Sequence, residues 1–184
     1  MTVVSEVAGV LPTHRQCSIQ ITNKCSNYTL SFPSLHMNSG WCVEMLPPTI
    51  DPSSVGKGLF SKTADTARGA VGIFTYDVLN KSTKESTEKI AVMFSVPYDF
   101  NLFSNWFAVG IFDKETQCDH DLYHNMYNNQ ENTFARKKGG CCLSYKSDQI
   151  TILATMSDSF QPDMKVEKLK KLISPQLHYK FNSP

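Results

Sequence analysis

The chain has 184 residues and a formal net charge of +1, from 18 Lys and Arg against 17 Asp and Glu. That length suits a single domain with a real buried core. The near-neutral balance gives no field that would attract nucleic acid, and no run of 18 or more apolar residues exists that could cross a bilayer as a helix.

The first element is a short N-terminal segment, residues 1–16. Met1–Leu11 has neither a basic leader region nor a sustained apolar run, so it does not read as a signal peptide. Localisation is left open between the cytosol, export by another route, and a leader outside this sequence. Pro12 would interrupt a helix here. Eleven helical residues would cover roughly 17 Å, short of the about 30 Å hydrocarbon core.

Residues 17–157 read as a β domain. Short apolar or alternating runs occur at Ser18–Thr22, Tyr28–Phe32, Trp41–Leu46, Ala70–Val78, Lys89–Val96, Trp106–Phe112 and Gln149–Thr155. Turn signals separate them at Pro47-Pro48, Asp51–Ser54, Asn80–Glu88 and Lys137–Gly140. Many short strands with polar turns predict a mainly β sandwich of about ten strands.

One internal helix is predicted at about Asp119–Asn129. Cys118, Leu122 and Met126 recur at four-residue intervals and give one face, with Tyr123 and Tyr127 as a neighbouring stripe. Residues 158–184 form a basic tail. Within it Met164–Ile173 reads as a short amphipathic helix, begun after Pro162-Asp163 and stopped before Pro175.

The stretch 94–107 is the most informative. It carries six aromatic residues around a turn-forming centre of Pro97, Asp99, Asn101, Ser104 and Asn105. A loop that presents rings to the outside has something to bind. Alternation after the loop puts Trp106 and Ala108 on one face and Phe107 and Val109 on the other.

FSVPYDFNLFSNW, residues 94–106, resembles the signature loop of the actinoporins, small pore-forming cytolysins of sea anemones. The likeness reaches upstream to Gly69-Ala70-Val71-Gly72 and downstream to Asp119–Asn128, and covers roughly 15–155. It implies a β-sandwich flanked by helices, and a phosphocholine pocket. Carried over position by position, the headgroup-binding set is Ser39, Val71, Ser95, Pro97, Phe103, Tyr123, Tyr127 and Asn128. Aromatic faces suit a quaternary ammonium, which cannot donate a hydrogen bond. Phe103 and Asn128 stand where the family has tyrosines, so one hydroxyl and one ring are lost.

The resemblance also implies a membrane-facing set of Tyr98, Phe100, Leu102, Trp106 and Phe107. Leu102 replaces a tryptophan of the family, and Arg15 falls at a basic position near the first strand. The implied partner is a membrane lipid, phosphocholine or sphingomyelin, with homo-oligomerisation on membranes into a pore. Pore formation would be weakened by the short N-terminus. The alternative is a glycan-binding lectin-like module of the same fold, and a third reading is a regulatory interaction subunit.

Six cysteines, at 17, 25, 42, 118, 141 and 142, match no disulfide framework. Reduced thiols are the expectation without a leader, and the six depart from a family that typically has none. Cys118, His120 and His124 hint at a metal, but helical surface histidines explain that spacing, and no metal or other cofactor is expected. Arg136-Lys137-Lys138 and Lys165, Lys168, Lys170 and Lys171 are basic groups that could touch anionic lipid. No nucleophile elbow or glycine-rich phosphate loop is present, so the chain does not read as an enzyme.

Overall fold

The structure, a computed structural model, describes residues 14–170. Twelve strands and one helix follow in order: β1 (Gln16–Asn23), β2 (Tyr28–Ser39), β3 (Trp41–Glu44), β4 (Thr49–Ile50), β5 (Ser54–Ser61), β6 (Ala70–Asn80), β7 (Ser86–Val96), β8 (Trp106–Asp113), α1 (His120–Asn128), β9 (Phe134–Lys138), β10 (Cys142–Lys146), β11 (Ile150–Met156) and β12 (Asp163–Lys170). They form two six-stranded sheets. One has the order β10-β11-β12-β1-β5-β3 and the other β4-β2-β6-β7-β8-β9.

The core lies between the sheets. Phe74, Phe94 and Phe107 face inward from the second sheet, and Phe60 answers from the first, its ring centroid 4.7 Å from that of Phe94. Each such ring contributes about 1.5–3 kcal/mol on burial. The central strands β6, β7 and β8 are buried on both faces, because α1 covers the outer one. Val71, Ile73, Met93 and Ala108 point outward there and meet Leu122, Tyr123 and Met126. This accounts for the near-continuous apolar runs in these strands, which a sheet with one wet face would not show.

Several expectations are corrected. The Met164–Ile173 helix is overturned over its described part: Asp163–Lys170 is strand β12, parallel to β1 and antiparallel to β11. Met164, Val166 and Lys168 are its buried alternate positions, so the period is two. Residues 171–173, and the N-terminal segment up to residue 13, lie outside the described residues. Strands β4, β5, β9 and β10 come in addition to the expected runs. In β5 the inward positions include Gly56 and Gly58, where a Cβ would stand 2.5 Å from Ile50 and 2.9 Å from Leu46. The missing side chains erase the alternation that marks a strand. Strand β2 runs to Ser39 rather than Phe32, through irregularities at 31–34 and 37–39.

Candidate functional site

On the outer face of the second sheet, register pairing lines up Ser39, Val71, Ser95, Trp106 and Lys138 across β2, β6, β7, β8 and β9. Neighbouring strands are about 4.8 Å apart, so the row is continuous. The Ser39 hydroxyl donates to the Gly69 carbonyl at 2.9 Å. Gly69 itself is forced by close approach, since a Cβ there would sit 2.0 Å from the Val96 carbonyl oxygen.

Helix α1 brings two rings to this row. Asp119 caps it, accepting from the Leu122 amide at 3.0 Å. Leu122 and Met126 are buried against the sheet, as their spacing predicts. Tyr123 stacks on Tyr127 with centroids 5.7 Å apart and planes 21° apart. Tyr123 is buried; Tyr127 is half-buried. Burial, reinforced by Tyr127, pushes the Tyr123 phenol up, and the neighbouring Ser95 side chain opposes that shift. The phenol is therefore a neutral hydrogen-bonding group. Asn128 turns its amide back to the His124 carbonyl at 3.0 Å.

The loop between β7 and β8 is held at both ends. Arg15, 6% exposed, donates from Nε to the carbonyls of Pro97 and Tyr98, each at 3.0 Å. Its guanidinium lies 5.4, 5.2 and 4.6 Å from the ring centroids of Tyr98, Phe100 and Phe160. At the other end buried Asn105 donates to the Ser159 carbonyl at 2.8 Å. Between these anchors an Asx turn at Asp99 accepts from the Asn101 amide at 2.8 Å. The tip then presents Leu102 and Phe103, 74% and 57% exposed.

The membrane-facing set is thus divided by the structure. Leu102 and Phe103 project, Tyr98 and Phe100 pack toward Arg15, and Trp106 is half-buried between cations. Phe107 does not face outward. It is fully buried opposite Phe94, on the inner side that alternation with Trp106 assigns to it. Sequence reasoning missed Phe160 and read Asn105 as a turn former rather than as the anchor to Ser159. Phe160 lies in a tail to which the resemblance did not extend. The Cys118 thiol turns inward to the Ser34 and Ile73 carbonyls. Among the described residues no three side chains form a metal-binding group.

The profile of the family described as sea anemone cytotoxic protein matches residues 2–155. The chain belongs to this family, the actinoporins. Actinoporins are membrane-binding, pore-forming cytolysins, a class that acts by binding rather than catalysis. Bryoporin of Physcomitrium patens is 27% identical over 170 residues, 92% of this chain and 92% of that protein. DELTA-alicitoxin-Pse1b of Phyllodiscus semoni is 48% identical over 63 residues, 34% of this chain but 25% of the toxin. Among solved structures the lipid-binding protein Nakanori superposes with a TM-score of 0.66 over 84% of this chain and 70% of its own, at 9% identity. That likeness concerns the fold. The stretch matched to the actinoporin profile takes in Arg15, the loop and α1, and stops short of β12.

Proposed function

We propose that this chain binds phosphocholine headgroups, as in sphingomyelin, at a membrane surface, and that bound copies assemble there toward a pore. The observation that carries the reading is the exposed Leu102–Phe103 tip on a doubly anchored loop, next in sequence to Ser95 and Pro97. The half-buried Tyr127, stacked on buried Tyr123, offers an aromatic face to a quaternary ammonium. Ser95 and Tyr123, both buried, form the floor beneath it. The apolar tip supplies burial in the acyl boundary, worth about 1.5–3 kcal/mol for a leucine or phenylalanine.

Flotation with phosphatidylcholine vesicles, with and without sphingomyelin, tests this, alongside dye release. Binding that free phosphocholine competes away is the expected result. Tyr127→Ala is expected to weaken it by about 2- to 30-fold, matching ~0.5–2 kcal/mol for a lost cation–π wall. Absence of binding to either vesicle, or competition by sugars instead, would overturn the headgroup assignment. Retained flotation without dye release would overturn the assembly step alone.

A further inference from the structure

We infer that the outer edge of the second sheet carries a second subsite, for the phosphate of an anionic phospholipid, beside the phosphocholine reading. It extends that reading and rests on it only for the face turned to the bilayer. A groove of about 520 Å³ lies along edge strand β9, between the end of α1 and the turn into β10. Its wall includes Trp106, Arg136, Lys137 and Lys138, with Asn129 and Glu131 at the helix end.

Three observations meet there. First, the Arg136 guanidinium is 4.6 Å and the Lys138 ammonium 5.5 Å from the Trp106 ring centroid. The indole holds both cations on one side of the sheet. A guanidinium carries five N–H donors in a planar fork, which suits bidentate contact with phosphate oxygens. Second, neither cation has a carboxylate partner. Among the described residues the ion pairs are Lys24 with Glu167 and Lys89 with Asp77. Glu131, the acid on the groove, accepts from the Thr133 hydroxyl at 3.3 Å instead. Third, Lys138 and Trp106 continue the row that begins at Ser39, Val71 and Ser95. A lipid in the groove therefore meets the same face as one beside the tyrosines.

The charge selects the ligand. Three cations against one acid favour a headgroup with net negative charge over zwitterionic phosphocholine. Each cation near an anionic surface is worth about fivefold, the equivalent of ~1 kcal/mol.

The test uses flotation of the full chain with vesicles of phosphatidylcholine and sphingomyelin, with or without phosphatidylglycerol. Phosphatidylglycerol is expected to tighten binding by wild type. R136Q/K138Q should lose about 25-fold of that gain and keep its binding to the neutral vesicles. K57Q/K146Q removes the same charge from exposed positions on the other sheet, and should keep the gain. A Trp41→Phe background leaves Trp106 as the fluorescent reporter, whose emission should shift with phosphatidylglycerol vesicles and, in R136Q/K138Q, should not. Failure of neutral vesicles to bind, with the phosphatidylglycerol effect intact and dependent on Arg136 and Lys138, would sink the phosphocholine reading and leave this one standing. Equal loss in K57Q/K146Q, no gain in wild type, or a Trp106 response to glycerol 3-phosphate without any vesicle gain would overturn it.

Discussion

Lys168 is the residue whose environment departs most from its chemistry. It is fully buried, forms no well-aligned hydrogen bond, and lies 4.6 Å from the Tyr28 ring centroid. Burial lowers its pKa, and the neighbouring Cys25 and Glu88 offset that only in part. The unfolded chain therefore binds more protons than the folded one between the lowered value and the ordinary lysine value of 10.5. Stability should rise with pH across that window. Lys168→Met should stabilise the protein by about 1–3 kcal/mol at neutral pH and remove that slope, measured by urea unfolding at several pH values. Arg15 is the contrasting case. Arg15→Ala leaves two carbonyls without their donor and three rings without their cation, and should cost about 2–4 kcal/mol. Thiol labelling gives a third readout: Cys141 and Cys142 are exposed and should react at once, whereas buried Cys17 and Cys25 should react only on unfolding. The sequence showed where Arg15 lies but not what it holds, because its partners are backbone carbonyls about 80 positions away. The Trp106–Phe107 alternation was legible because it needs only a period of two.

Among elements, β12 decides the most. It lies between β11 and β1, so the hairpin of β10 and β11 joins its sheet only through β12. A chain ending at residue 157 should lose cooperative unfolding and aggregate through the opened strand edges, seen by near-ultraviolet dichroism and light scattering. The apolar, alternating strands β6, β7 and β8 could be read from the sequence, as could α1 with its cap and its two faces. Strands β9 and β12 could not, because FARKK and DMKVEKLK spend alternate positions on lysine and arginine. In β12 the third inward position is Lys168, and a buried lysine breaks the pattern that Met164 and Val166 begin. Asp119→Ala should weaken α1 by about 1 kcal/mol, and with it the seating of Tyr123 and Tyr127, detectable as a parallel fall in melting temperature and in flotation.

At the scale of the molecule the two outer faces differ in kind. The second sheet's outer face carries the helix, the tyrosines and the Trp106 cations, while the first sheet's outer face mixes Lys57, Lys165 and Glu167 with Leu153 and Val55. Raising ionic strength should erase the phosphatidylglycerol gain, since exposed charges are screened over about 8 Å at physiological salt. Binding to neutral vesicles through the apolar tip should survive, and flotation across a salt series separates the two.

The pairing of β1 with β12 joins Ser18 to Asp163, nearly the two ends of the described chain. During synthesis β1 can pair with β5 early, but its other edge waits for about 100 more residues, roughly 5–20 s at ordinary elongation rates. Phe160, the third ring on Arg15, arrives in the same late segment. The loop between β7 and β8 is therefore seated only after Phe160 and β12 have emerged, and a nascent chain stalled before that point would carry an open sheet edge and an unseated loop at once.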